Sequence, residues 1–192
     1  MTPQCDAPVS DDDLLDYWIH AIDGTDAERI EEHLFGCAAC SARFEAMASL
    51  GVGLVELVRR GRIGGIVTRS LLNRLQRDGV HVRQYVLSPG ERVPCAAFPD
   101  DDLVVLALRA DFAGSEAVTI ALLGADDTLI DQVSDVAVGP KDIEILWATP
   151  GDIIRRMPSS RRRVTVRSQS MHSTVLAEYE LDHTASPVTG SE

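Results

Sequence analysis

Two hydrophobic periods divide the chain, and they change over near residue 80. Leu14, Leu15, Trp18, Ile19 and Ile22 recur at intervals of three and four, which predicts an amphipathic helix. Asp11-Asp12-Asp13 opens it, where negative charge suits the positive end of the helix dipole, and Asp23-Gly24 stops it. Thr25 with Glu28 has the spacing of a capping box for a second helix, which turns Ala27, Ile30 and Leu34 inward and ends near Gly36. A third helix is expected from about Ser41, with Phe44, Met47, Leu50, Leu54 and Val58 on its inner side. After the Gly64-Gly65 break, Val67, Leu71, Leu72 and Leu75 predict a fourth amphipathic helix closed by Asp78-Gly79.

From Val80 the apolar residues alternate with period two. Strands are expected over 80–87, 91–97, 103–110, 117–123, 128–134, 143–148, 162–168 and 174–181, separated by clusters such as Ser88-Pro89-Gly90 and Pro99-Asp100-Asp101-Asp102. Short strands with turn signals at this spacing predict an antiparallel β-sandwich. The expected architecture is therefore α+β in two domains. Residues 1–60 form a small helical bundle, 61–79 a basic linker with the fourth helix, 80–184 the β-sandwich, and 185–192 a flexible tail.

Charge sharpens this division. The net charge is −12 over 192 residues. Residues 1–40 hold ten acidic side chains and one arginine, 41–92 hold four acids and nine arginines, and 93–192 hold sixteen acids and eight bases. A chain repelled overall by phosphate is not expected to bind nucleic acid directly. The longest uninterrupted apolar runs, such as Leu103–Leu108, fall short of the roughly 18–20 residues of a membrane span. Met1–Asp6 lacks a secretory leader's basic start and apolar core, so a soluble, cytoplasmic protein without a membrane partner is expected.

The candidate chemistry is concentrated in His33-Leu34-Phe35-Gly36-Cys37-Ala38-Ala39-Cys40. Residues four apart share a helix face, so His33 and Cys37 can converge, and the small Ala38-Ala39 turn lets Cys40 return to the same point. Thiolates and an imidazole suit tetrahedral Zn2+. Cys5 is the candidate fourth ligand, because the start of the first helix lies beside the end of the second in an antiparallel pair. His20 lies about 12 Å along the first helix from that end and is the weaker candidate. A redox Cys-x-x-Cys pair sits at a strand-to-helix turn, a context this segment lacks. No G-x-S-x-G, H-E-x-x-H or phosphate-binding glycine loop is present, so no catalytic residue is assigned and an enzyme is not expected. Asp100-Asp101-Asp102 reads as a charged turn, His81, His172 and His183 as scattered strand residues, and Cys95 as a buried apolar one.

Over Asp11–Arg60 the sequence resembles the zinc-binding anti-sigma factors of bacteria. The likeness is carried by Leu14-Leu15-Asp16-Tyr17, Ile22-Asp23-Gly24 and, above all, Ile30-Glu31-Glu32-His33-Leu34 running on to Cys37 and Cys40. The resemblance implies a helical domain that sequesters an extracytoplasmic-function sigma factor, hiding surfaces needed for RNA polymerase and promoter DNA. It implies metal-ligand roles for His33, Cys37 and Cys40. The family's ligand immediately before the first helix has no counterpart in Val9-Ser10-Asp11, and Cys5 lies upstream of that place. Release of the sigma factor by oxidation of the zinc thiolates, or by a signal at the β domain, is expected on this reading. The alternative is a zinc-stabilised interaction or ligand-sensing module with a different partner.

Overall fold

The computed structural model describes residues 5–139, 141–169 and 174–185. Helices and strands are mixed, with five helices and two sheets of four and five strands among the described residues. The contacts divide the chain into two compact units, one of residues 1–57 and 69–80, the other of 58–68 and 81–192.

The first unit holds α1 (Asp11–Ile19), α2 (Gly24–Gly36), most of α3 (Ala38–Arg59) and α4 (Arg69–Arg77). Ser10 caps α1 by accepting the Asp13 backbone N–H at 3.0 Å. His20 ends it in the left-handed region, with φ 59°. The cap of α2 is Asp23, whose carboxylate accepts the Asp26 N–H at 3.0 Å. The expected Thr25/Glu28 box is thereby displaced, because α2 starts at Gly24 and Thr25 already lies in the first turn. Val9, Leu14 and Ile30 form the buried centre, with Tyr17, Ile22, Leu34, Phe44 and Met47 packed round it.

The inner side of α3 holds Phe44, Met47 and Val58 as expected, but not Leu50. Cys40, Gly51 and Val55 are buried, whereas Leu50 is 76% exposed. The reason is a close approach: a Cβ on Gly51 would stand 2.1 Å from Trp18 Cζ2. The indole of Trp18 therefore lies where a side chain would be, and the helix turns that stripe inward. Arg74 of α4 stacks on the Trp18 ring at 5.0 Å and donates to the Trp18 carbonyl, and Arg77 donates to the Ile19 carbonyl. The two arginines thus serve carbonyls that α1 leaves unsatisfied at its C-terminus.

In the second unit all eight expected strands are present, as β2 (Val82–Leu87), β3 (Arg92–Cys95), β4 (Leu103–Arg109), β5 (Ala117–Leu123), β6 (Leu129–Ala137), β7 (Glu144–Pro150), β8 (Ser160–Ser168) and β9 (Val175–His183). A short β1 (Gly65–Val67) precedes them and pairs antiparallel with β7, so Val67 lies in a strand and not in the fourth helix. A short α5 (Gly151–Arg156) follows β7. The strand orders are β1-β7-β4-β2 and β3-β9-β8-β5-β6.

The expected purely antiparallel pairing requires correction. β2 pairs with β4, and β3 with β9, in parallel register. Alternation fixes which face of a strand is buried but not the direction of its neighbour. The consecutive strands β2 and β3 enter different sheets, and each finds a parallel partner there. One core joins both sheets, with Leu87, Leu108, Ile145 and Trp147 from the first and Ile120, Val164, Val166 and Tyr179 from the second. The tail expected over 185–192 lies outside the described residues apart from Ala185.

Candidate metal centre

The junction of α2 and α3 is one residue long. Cys37 separates the helices in extended conformation, φ −124° and ψ 100°, and its carbonyl accepts the Ser41 N–H at 3.0 Å. It thus occupies the position just before α3, where the first N–H groups of a helix have no intrahelical acceptor. The backbone N–H of Cys40 is the largest influence on the Cys37 thiol, aided by the Cys5 side chain, and lowers its pKa to about 6. A thiolate at a helix N-terminus is the expected product of such donors.

One turn back, His33 lies in the last turn of α2. One turn forward, Cys40 is fully buried at the start of α3. Cys5 approaches from the segment before α1, with its Sγ 3.5 Å from His33 Nε2. The Ala7 backbone N–H favours the Cys5 thiolate, but burial and the neighbouring thiols of Cys37 and Cys40 outweigh it and raise the pKa. The shifts on Cys5 and Cys37 are opposite, so of these two thiols Cys37 is the readier to ionise. Arg43 secures the segment carrying Cys5, donating to the Val9 carbonyl at 2.9 Å and pairing with Asp11.

The ligand atoms of Cys5, His33, Cys37 and Cys40 all lie within 4.8 Å of one another, close enough to bind a metal ion. Tetrahedral Zn–S bonds of about 2.3 Å would place sulfurs about 3.8 Å apart, so the donors need draw in by no more than about 1 Å. Three sulfurs and one imidazole form a soft set, of the kind that selects zinc or another thiophilic metal over magnesium or calcium.

The other sequence candidates lie elsewhere. His20 is exposed at the end of α1 and is not in the cluster. Asp101 accepts from Arg83 at 2.6 Å and from the Phe98 N–H at 2.7 Å, and Asp102 accepts the His81 N–H at 2.8 Å, so these carboxylates tie their loop to the start of β2. His172 lies outside the described residues. His183 is 5% exposed and contacts Cys95, Sγ to Nδ1 3.8 Å. Its Nε2 meets the Met157 carbonyl at 3.3 Å, which fixes the proton there and leaves the Nδ1 lone pair towards the thiol. Burial lowers the His183 pKa and raises that of Cys95, so both groups stay neutral.

Large apolar side chains are also exposed on the helical unit, a feature that the sequence reading did not isolate. Phe35, between His33 and Cys37, is 92% exposed, and Leu50 and Val52 on α3 are 76% and 73% exposed. Leu15 and Leu57 stand exposed as well. Among the described residues, α3 is the one helix long and apolar enough to cross a membrane by length and composition. The shorter uninterrupted runs in the sequence concealed this, because Arg43, Glu45 and Glu56 punctuate α3.

No protein-family model matches the chain, and no curated protein matches it.

Proposed function

We propose that the chain is a soluble, cytoplasmic, zinc-binding anti-sigma factor, which sequesters an extracytoplasmic-function sigma factor and so represses its transcription. On this reading Cys5, His33, Cys37 and Cys40 hold Zn2+. The two compact units act as two domains, the second a β-sandwich, and the protein neither catalyses a reaction nor binds nucleic acid directly. The observation that carries the proposal is the convergence of Cys5 on His33, Cys37 and Cys40, the last three being residues through which the sequence resembles that family.

Two further features support a protein partner. Exposed Leu50 and Leu57 lie seven residues apart, two turns along one side of α3, and contiguous exposed apolar surface marks interaction sites. Charged Arg43, Glu45 and Glu56 on the same helix favour a protein over a lipid bilayer as the covering surface. The acidic first forty residues suit the basic promoter-binding surface of a sigma factor and would speed the encounter.

The test is co-expression with each extracytoplasmic-function sigma factor of the organism that makes the protein, followed by affinity purification and a promoter-specific transcription assay. A stoichiometric complex that silences transcription, and fails to form with Leu50→Asp, is expected. A chain that leaves transcription unchanged and elutes alone would overturn the proposal. Peroxide should eject zinc and dissociate the complex if the thiolates are the sensor, whereas a purely structural site would retain both.

A further inference from the structure

Three consecutive arginines, Arg161, Arg162 and Arg163, open β8, and the sheet treats the middle one differently. Side chains alternate across a strand. Arg161 and Arg163 are only half covered and pair with carboxylates, Arg161 with Asp182 at 3.4 Å and Arg163 with Asp127. Arg162 falls in the buried row of Val164 and Val166 and is itself 7% exposed.

Its guanidinium has no carboxylate within ion-pair distance among the described residues. Nε donates to Ser160 Oγ at 3.0 Å, one terminal nitrogen to the Met157 thioether and the other to the Pro158 carbonyl at 3.4 Å. A guanidinium has five N–H groups, so one on each terminal nitrogen is left over, and a thioether is a weak acceptor for a third. Burying an uncompensated cation is costly, and an aliphatic residue in this row would be the ordinary choice. Burial accordingly lowers the Arg162 pKa.

The guanidinium lies on a cavity of about 390 Å3 within the sheet unit. The walls are apolar, with Leu106 and Trp147 from one sheet, Leu122, Val133 and Leu181 from the other, and Ile154 from α5. Thr149 also lines it, and four further polar groups fall into two pairs. Cys95 and His183 satisfy each other and stay neutral, while Arg62 and Asp131 are exposed members of the lining with opposite charges. The volume is within the range of small-molecule sites, roughly 300–1,000 Å3, which combine apolar walls with a few placed polar groups.

We infer that this cavity binds a small amphipathic carboxylate, its head paired with Arg162 and its apolar body against Leu106, Trp147 and Leu181. The two unused N–H groups on the terminal nitrogens are those that a carboxylate takes up as a bidentate acceptor. A single buried positive charge balances a monoanion and leaves a dianionic phosphate half compensated. The inference is independent of the metal centre and of any sigma factor.

The probe is decanoate, titrated calorimetrically into the delipidated, zinc-loaded full chain, with 1-decanol as its uncharged counterpart and decyl phosphate as its dianionic one. Decanoate should bind once per chain, with decanol and decyl phosphate weaker by about tenfold or more, the worth of a charge-assisted hydrogen bond. Arg162→Leu should lose that tenfold preference for decanoate over decanol, while its ligand-free Tm rises because an unpaired buried cation has been removed. Leu106→Trp, which fills the cavity and keeps the cation, should bind none of the three. If Leu106→Trp does not fold, Arg162→Leu decides alone. Absence of decanoate binding to the wild type, equal affinity for decanol, tighter binding of decyl phosphate, or an unchanged preference in Arg162→Leu would each overturn the assignment.

Discussion

Two glycines on α3, Gly51 and Gly53, give opposite predictions for the same substitution. In a helix interior glycine is worse than alanine by about 1 kcal/mol, through backbone entropy alone. Gly53 has nothing within 4 Å of a built Cβ, so Gly53→Ala should stabilise the helical unit by about that amount. A Cβ at Gly51 would meet three indole carbons of Trp18, at 2.1, 2.8 and 2.9 Å. Carbon atoms pack at about 3.5–4.0 Å, so the ring must withdraw by more than 1 Å. That movement disturbs the stacking of Arg74, which lies 5.0 Å from the ring centre. Overpacking costs about 1–3 kcal/mol and the cation–π contact adds about 0.5–1 kcal/mol, against a helix gain of about 1 kcal/mol. Gly51→Ala should therefore destabilise by about 0.5–3 kcal/mol, leaving the two variants about 1.5–4 kcal/mol apart. Urea unfolding followed by far-UV circular dichroism measures both. Combining Gly51→Ala with Trp18→Leu should remove most of the Gly51 penalty, as contacting residues in a double-mutant cycle do. A Gly51→Ala protein as stable as Gly53→Ala would refute the packing of Trp18 on α3, and with it the assignment of the buried and exposed sides of that helix.

The metal centre yields further tests. Chelation of the metal at neutral pH, or Cys37→Ser, should lower the helical far-UV signal while the sheet signal persists, since the sheet unit has its own core. In the metal-free protein Cys37 should react with iodoacetamide before Cys5, Cys40 or Cys95, half-maximally near pH 6, as peptide mass spectrometry across a pH series can check. Because its folded pKa lies below the ordinary thiol value, the unfolded chain binds more protons in between. Metal-free stability should thus rise with pH from about 6, be complete above the unfolded thiol's pKa, and be lost as pH falls through about 6. A thermal melt series at fixed ionic strength reads that slope. Phe35→Ser, at a fully exposed position, should leave unfolding midpoints within about 0.5 kcal/mol of wild type, yet weaken the sigma complex if the exposed apolar residues form the interface.

The metal cluster was legible because its geometry is local. His33 lies one helical turn before Cys37, and Cys40 follows in the first turn of α3, which begins at Ala38 where a turn was expected; only Cys5 required an argument about which helix ends meet. The strands were legible too, since period two survives whatever the neighbour. Their partners were not, and the parallel β2–β4 and β3–β9 pairs leave no mark on alternation. The third helix misled because large apolar residues stand on its outer side as well as its inner one. Leu50 looked like core, whereas the close contact is made at Gly51. The cavity cation had a signal that went unread: counting back by twos from Val166 and Val164 reaches Arg162, the middle member of an arginine triplet that reads in sequence as surface.

The two sides of α3 give the metal a role beyond holding a turn. Cys40 begins the row that continues through Phe44, Met47, Gly51 and Val55, all on the inner side of the helix, whereas Leu50 and Leu57 mark the outer one. Most of a helix's stability in a protein comes from the packing of its inner face, and Phe44 and Met47 of α3 pack against the buried Val9, Leu14 and Ile30. A metal bridging Cys5, His33, Cys37 and Cys40 would bind the segment before α1, the end of α2 and the start of α3 into one cross-link, and its binding energy is then folding energy for all three. If the outer side of α3 is the docking surface, its presentation depends on the inner side being seated, and a metal on Cys40 would anchor the start of that side. On the proposed function, metal loss would release the partner without touching it: freeing Cys40 would let the helix rotate or fray, and Leu50 and Leu57 would lose their fixed place on the surface.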